Sequence, residues 1–186
     1  MSKIQTKPVV LHPFTENSPL LAAATKIYCK TWRHDWAMAY DFISRYSTFP
    51  GFYGVVAANQ CGKAVAMGFG ADAFAGNWWF DYIVKELGES HPSLQDAWIL
   101  VELSVLKRQQ NRGLGTFIIN HLLQHHFRSR VLLSTQQSNT GARRLYERLG
   151  WYCIHEGLIF GPGQEPYVIM CKEMCGEETS ETQEEI

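Results

Sequence analysis

The segment Gln110-Asn111-Arg112-Gly113-Leu114-Gly115-Thr116 joins an apolar run to an amphipathic one. Gly113 and Gly115 remove side chains where a ligand must approach the main chain. A loop of this kind that opens a helix leaves the first N–H groups without intrahelical partners. Those groups lie at the positive end of the helix dipole, which makes an anion site. Lys107, Arg108 and Arg112 add positive charge to the same stretch. Downstream, Asn139 stands where it would cap a following helix. Tyr146 is an aromatic on the inner face of that helix. Glu102 lies within the hydrophobic run Ala97 to Leu106. An ionised carboxylate there costs free energy unless it is paired or wet, so Glu102 is a candidate general base with a raised pKa. The competing reading turns its side chain to water at a sheet edge.

Three readings compete for the glycine loop. A P-loop requires Lys after the last glycine, and Thr116 stands there. A dinucleotide fingerprint requires a third glycine where the chain has Ile118, and no acidic residue follows at the ribose position. The third reading is a tight turn that binds nothing, and an isolated Gly-x-Gly turn is more often that.

These residues need elements to hold them. Pro8 to Leu11 reads as a strand. Residues 18–30 read as a helix with Ser18 as cap and Pro19 at the first helical position. A second helix follows over 35–46, capped by Asp35. Residues 52–58 and 63–71 read as strands joined at Asn59-Gln60-Cys61-Gly62, with Gly68 and Gly70 marking a weakened or bent strand. A short helix runs from Asn77 to about Leu87. Ala97 to Leu106 is a long strand, Gly113 to Phe127 an amphipathic helix, and Val131 to Leu133 a buried strand. Thr140 to Leu149 is a helix ended by Gly150. Trp151 to Ile154 and Tyr167 to Cys171 are further strands. This order gives a mixed α/β fold with strands central and helices outside.

The chain has 186 residues, 46% hydrophobic, with a net charge of −1. That length suits one domain over residues 1–174. Residues 175–186 form an acidic tail expected to be disordered, because it has little apolar surface to bury. Its five glutamates account for the sign of the net charge; without them the rest carries +4. No global field argues for nucleic acid, and no stretch is long and apolar enough for a bilayer. Five scattered cysteines without a Cys-x-x-Cys pair suit free thiols in a reducing cytoplasm rather than disulfides or zinc. The N-terminus lacks the apolar core of a signal peptide. His121 and His125 are four apart on a helix, but no third ligand is evident, so no metal is expected.

The chain resembles the GCN5-related N-acetyltransferases (GNAT). Their pattern, Arg/Gln-x-x-Gly-x-Gly/Ala after a long strand, stands here as Gln110-x-x-Gly113-x-Gly115, preceded by Glu102-Leu103-Ser104-Val105. A second signature matches Asn139, Ala142, Leu145-Tyr146 and Leu149-Gly150-Trp151. Together they cover about residues 97–157; the first ninety residues match in layout alone. The resemblance implies a mostly antiparallel sheet of six to seven strands flanked by four to five helices, with central strands splayed apart. It implies acetyl-CoA as cosubstrate, no metal, and direct attack of a primary amine on the thioester. The coenzyme would lie on Gln110, Asn111, Arg112, Gly113, Leu114, Gly115, Thr116, Asn139 and Tyr146, with pantetheine along the backbone of Leu103 and Val105. Tyr146 would act as acid. Some family members carry a glutamate shortly before the Asn, where this chain has Ser134-Thr135-Gln136-Gln137; others carry one near Ile99. The base therefore falls to Glu102 or to an ordered water. The acceptor is expected to be a small-molecule amine, with a protein lysine or N-terminus as the rival. A non-catalytic acyl-CoA-binding protein is a further reading, and a homodimer is compatible with the family. The variable stretch 72–96 is where acceptors usually bind. There Trp78, Trp79 and Phe80 could form an aromatic wall, although burial suits at least two of them. Asp72, Asp81 and Glu86 could draw a cationic amine.

Overall fold

The computed structural model describes residues 9–174. The acidic tail, with Cys175, and the predicted start of the first strand at Pro8 lie outside them. Seven strands form one sheet in the order β1-β2-β3-β4-β5-β7-β6. They are β1 (Val10–Phe14), β2 (Tyr53–Ala58), β3 (Ala64–Asp72), β4 (Ala97–Val105), β5 (Arg130–Gln136), β6 (Tyr152–Leu158) and β7 (Tyr167–Glu173). All neighbours pair antiparallel except β4 and β5, which run parallel. Five helices flank the sheet: α1 (Leu20–Trp32), α2 (Trp36–Ser47), α3 (Trp78–Leu87), α4 (Leu114–Leu123) and α5 (Thr140–Arg148).

Local chemistry sets the helix starts. Asp35 accepts from the N–H groups of Ala37 and Met38, Asn77 from Trp79, and Asn139 from Ala142. Each satisfies donors that the first turn would otherwise leave open. Before α1, Ser18 Oγ accepts from the Leu20 N–H at 3.2 Å, and Pro19 is the cap position rather than the first helical residue. In the β2–β3 turn, the Asn59 carboxamide accepts from Cys61 and Lys63. The helix expected to reach Phe127 stops at Leu123. Its apolar stripe ends there, His126 leaves to stack on Trp98, and Phe127 is fully exposed. β5 and β6 are longer than expected, because β7 pairs with both and carries their polar residues into its ladder.

Alternation along the strands divides the core. Trp98, Leu100, Val131, Leu133, Val168 and Met170 pack beneath α4 and α5. Ala97, Ile99, Leu132, Ile169 and Cys171 face the side of α3. Helices α1 and α2 close over Val56, Met67 and Phe69.

Two irregularities of β4 matter for the site. Opposite β3, Phe69 pairs with Glu102 but Gly70 pairs with Leu100, so Val101 is an extra residue. This is the bend that Gly68 and Gly70 signal. The Trp98 indole and the Ile99 carbonyl occupy the space a Gly70 side chain would need. On the other edge, β4 pairs with β5 only through Ala97–Arg130, Trp98–Val131 and Ile99–Leu132. From Leu100 onward the two strands part.

Candidate functional site

The gap between β4 and β5 opens into a cavity of about 1060 Å³. It runs from the loop before α4, past the diverging ends of β4 and β5, to the helices α1 and α3 and the segment joining β6 to β7. Of the sequence-derived candidates, Glu102, Leu103, Val105, Gln110, Asn111, Gly113, Leu114, Gly115, Thr116, Asn139 and Tyr146 all line it.

At one end, a 3₁₀ turn at Lys107–Gln109 leads into the glycine loop. Asn111 and Gly113 both have positive φ, 59° and 78°. Left-handed geometry at Gly113 turns the chain directly into α4, and the space where a Cβ would project is open. A side chain there would be strained and would fill that space. The first-turn N–H groups of α4 therefore point into an unobstructed cradle. The Gln110 side chain turns back to donate to the Val105 carbonyl at 2.9 Å, which fixes the loop to the end of β4. Arg112 does not line the cavity. Its guanidinium reaches Gln109 Oε1 at 3.5 Å, because the left-handed residues on either side turn its side chain away. Lys107 and Arg108 are exposed and also outside the lining. The cationic side chain at the cavity is instead Arg148, at the end of α5.

Glu102 is the carboxylate of the cavity. The extra residue at Val101 reverses the strand's alternation, so Glu102 leaves the α4 face and turns toward α1. β4 is an inner strand of the sheet, which removes the reading of a water-facing edge. Glu102 Oε1 accepts from the Trp32 indole at 3.1 Å and from the Ser104 hydroxyl at 2.8 Å. Removal from water pushes its pKa up to about 7, against the opposing pull of those two donors and of the Leu103 N–H. Tyr146 lies across the gap, edge-on to Trp151 with ring centroids 5.6 Å apart. Burial, and then the charge of Glu102, hold its phenol protonated well above the ordinary tyrosine range. The site therefore pairs a carboxylate that titrates near neutrality with a phenol that keeps its proton.

Asn139 caps α5 through its carbonyl oxygen, 3.1 Å from the Ala142 nitrogen. That bond leaves the amide donors of the same side chain free to face the cavity.

In the stretch 72–96 two of the three aromatics pack inward, as expected, while the acids do not reach the cavity. Trp79 is buried and donates to Ser134 Oγ at 3.0 Å, while Phe80 packs into the core. Trp78, 51% exposed, lines the cavity together with Trp79. None of the three acids lines it. Asp72 is bound by Arg128, Asp81 accepts from the Gly76 N–H, and Glu86 faces His155. Structural partners thus hold the carboxylates that composition alone offered to an amine. The remaining wall comes from residues that the sequence did not single out: Tyr28, Trp32 and His34 around the end of α1, and Phe160 and Tyr167 around the β6–β7 segment. One local signal was present, since Tyr28 and Trp32 are four apart on one helix face. Among the described residues, no cluster of three or more His, Cys, Asp or Glu side chains could hold a metal. Also among them, no helix is long and apolar enough to cross a membrane.

A family model for the acetyltransferase (GNAT) family matches residues 21–151. A GCN5-like protein acetyltransferase of Mycobacterium tuberculosis is 34% identical over 116 residues, covering 57% of this chain and 56% of that protein. The chain thus spans about half the length of this curated relative. Among solved structures, the ribosomal-protein-S18-alanine N-acetyltransferase of Escherichia coli superposes with a TM-score of 0.64 at 20% identity, covering 91% of this chain and 98% of that one. A GNAT family acetyltransferase of Elizabethkingia anophelis with acetyl-CoA bound gives 0.59 at 14% identity, covering 89% and 98%. Those two likenesses are of fold. The family match takes in α1, the splayed β4, the cradle and the Asn139–Tyr146 helix together, and by it this chain belongs to the GNAT acetyltransferase family.

Proposed function

We propose that the protein is an acetyl-CoA-dependent N-acetyltransferase acting on a primary amine of a small molecule, with residues 1–174 as the catalytic domain. The observation that carries this reading is one continuous cavity joining an anion cradle to a carboxylate and a phenol. The cradle fits a pyrophosphate, since its N–H groups converge where no Cβ intrudes. The free edge of β4 beyond Ile99 fits pantetheine, which can pair with exposed backbone as an added strand does. Acetyl-CoA supplies the activated acyl group. Glu102 accepts a proton from the incoming ammonium, leaving a neutral amine. That amine forms the C–N bond as the C–S bond breaks. Backbone N–H groups near Leu103 and Val105 stabilise the negative charge that develops on the carbonyl oxygen. Tyr146 donates its proton to the departing thiolate and takes one back from the acylated nitrogen, which sheds its surplus hydrogen to become the amide. Asn139 contributes its amide donors to the coenzyme.

The test combines binding with turnover. Acetyl-CoA at about a hundredfold excess over its Kd should raise Tm by about 5–10 °C, and Gly113→Trp should abolish that rise. The coenzyme-free Tm of the variant separates loss of binding from loss of fold. Release of free thiol on adding amines then reports transfer. A coenzyme effect that survives Gly113→Trp would sink the cradle.

A protein amino group is the second reading. The Mycobacterium tuberculosis relative is named as a protein acetyltransferase. Trp36, Met38 and Tyr40 are also exposed on α2, just beyond the His34 wall. Thiol release with lysine and N-terminal peptides in the same panel distinguishes the two.

A further inference from the structure

We infer that the acceptor carries a single positive charge on an aromatic or alkyl body, and that polycationic amines are selected against. The inference rests on the transferase reading above and narrows its substrate class.

Among the described residues, Glu102 is the only carboxylate in the cavity wall. Asp72, Asp81 and Glu86 do not line it and are held by the partners described above. Glu165, beside the lining residue Gln164, is held by the Ser138 hydroxyl. Tyr28, Trp32, His34, Trp78, Phe160 and Tyr167 line the same cavity, and the Trp32 indole bonds Glu102 directly. Their rings form linked groups. Tyr28 stacks on His34 at 5.3 Å, Trp78 meets Phe160 edge-on at 5.8 Å, and Phe160 meets Tyr167 at 5.1 Å. The Tyr28 phenol is kept protonated by burial first and then by the charge of Glu102.

An aromatic enclosure around one carboxylate recognises one ammonium: the ring faces attract the cation, and the carboxylate takes its proton. A second or third ammonium on the same molecule would be desolvated against rings with no counter-charge. An apolar body would instead lose water against Trp78 and Phe160 and gain stability. Selectivity thus follows from the number of acids in the wall as much as from its shape.

Thiol release should be measured with 2-phenylethylamine, hexylamine, spermidine, kanamycin and an N-terminal peptide, alongside the acetyl-CoA melting shift. The two monoamines should exceed spermidine and kanamycin in kcat/KM by about tenfold or more. Trp78→Ala, at an exposed position, and Phe160→Ala should raise KM for 2-phenylethylamine by about five- to tenfold while KM for acetyl-CoA stays within about twofold. Faster turnover of spermidine or kanamycin overturns the acceptor class and leaves the transferase reading standing. So does turnover of the peptide alone, an unchanged amine KM in both variants, or coenzyme binding without turnover of any monoamine. Absence of the coenzyme melting shift fells the underlying reading itself.

Discussion

In the proposed reaction two side chains divide the proton traffic, and their environments set the division. Tyr146→Phe should lower kcat by about a hundredfold with little change in acetyl-CoA affinity, measured by single-turnover thiol release against melting shift. Unchanged turnover would remove Tyr146 from the chemistry. Glu102 works as a base only when deprotonated, so kcat/KM should rise with pH through about 7 and lose that inflection in Glu102→Gln. Trp32 donates to the carboxylate and favours its charged form. Trp32→Phe should therefore move the inflection to higher pH, and an inflection that stays in place would mean the indole only packs. The stability sign follows from the same shift. The folded carboxyl titrates above its ordinary 4.5, so its contribution declines as pH rises from there to about 7. Glu102→Gln should accordingly gain Tm relative to the native protein at pH 8 more than at pH 5. The cradle, Asn139 and Tyr146 were legible in the sequence because glycine spacing, caps and helix faces are local signals. The bond from Trp32 was not, since it joins residues 70 apart.

Most helix starts and the order of elements along the chain were also readable, because each cap and turn lies within a few residues of what it satisfies. Asn139→Ala should cost about 1 kcal/mol through loss of the α5 cap. That is about 2–4 °C in Tm without coenzyme, as calorimetry would register. An additional drop in the coenzyme melting shift would reveal the amide's second use. What local pattern could not give was the extra residue in β4. A strand with one carboxylate reads as regular alternation, and regular alternation would send Glu102 into the α4 face beside Trp98 and Leu100. Val101 shifts the phase by one, so Leu103 and Val105 take the apolar side and Glu102 faces α1. The glycines of β3 announced a bend, but the residue that would be displaced depends on pairing between distant strands. The acids of 72–96 misled for a related reason: Asp72 is claimed by Arg128, 56 residues away.

Across the whole molecule, the mostly antiparallel architecture followed from the resemblance, and the splay is its functional centre. Strands β1 to β4 make one part of the sheet and β5, β7 and β6 the other, joined edge to edge by only three residue pairs at Ala97–Ile99. Leu100 to Val105 and Leu133 to Gln136 thus each keep one main-chain edge without a strand partner. Amide exchange should report this directly. In the free protein, amides on those edges should exchange through local opening, well ahead of the amides where β4 meets β5. A ligand lying between the edges would act as a removable eighth strand, tying the two parts of the sheet together beyond Ile99. Acetyl-CoA should then slow exchange on both β4 and β5 together, as well as in the first turn of α4. The protein would complete its own hydrogen-bond network only while it holds its substrate.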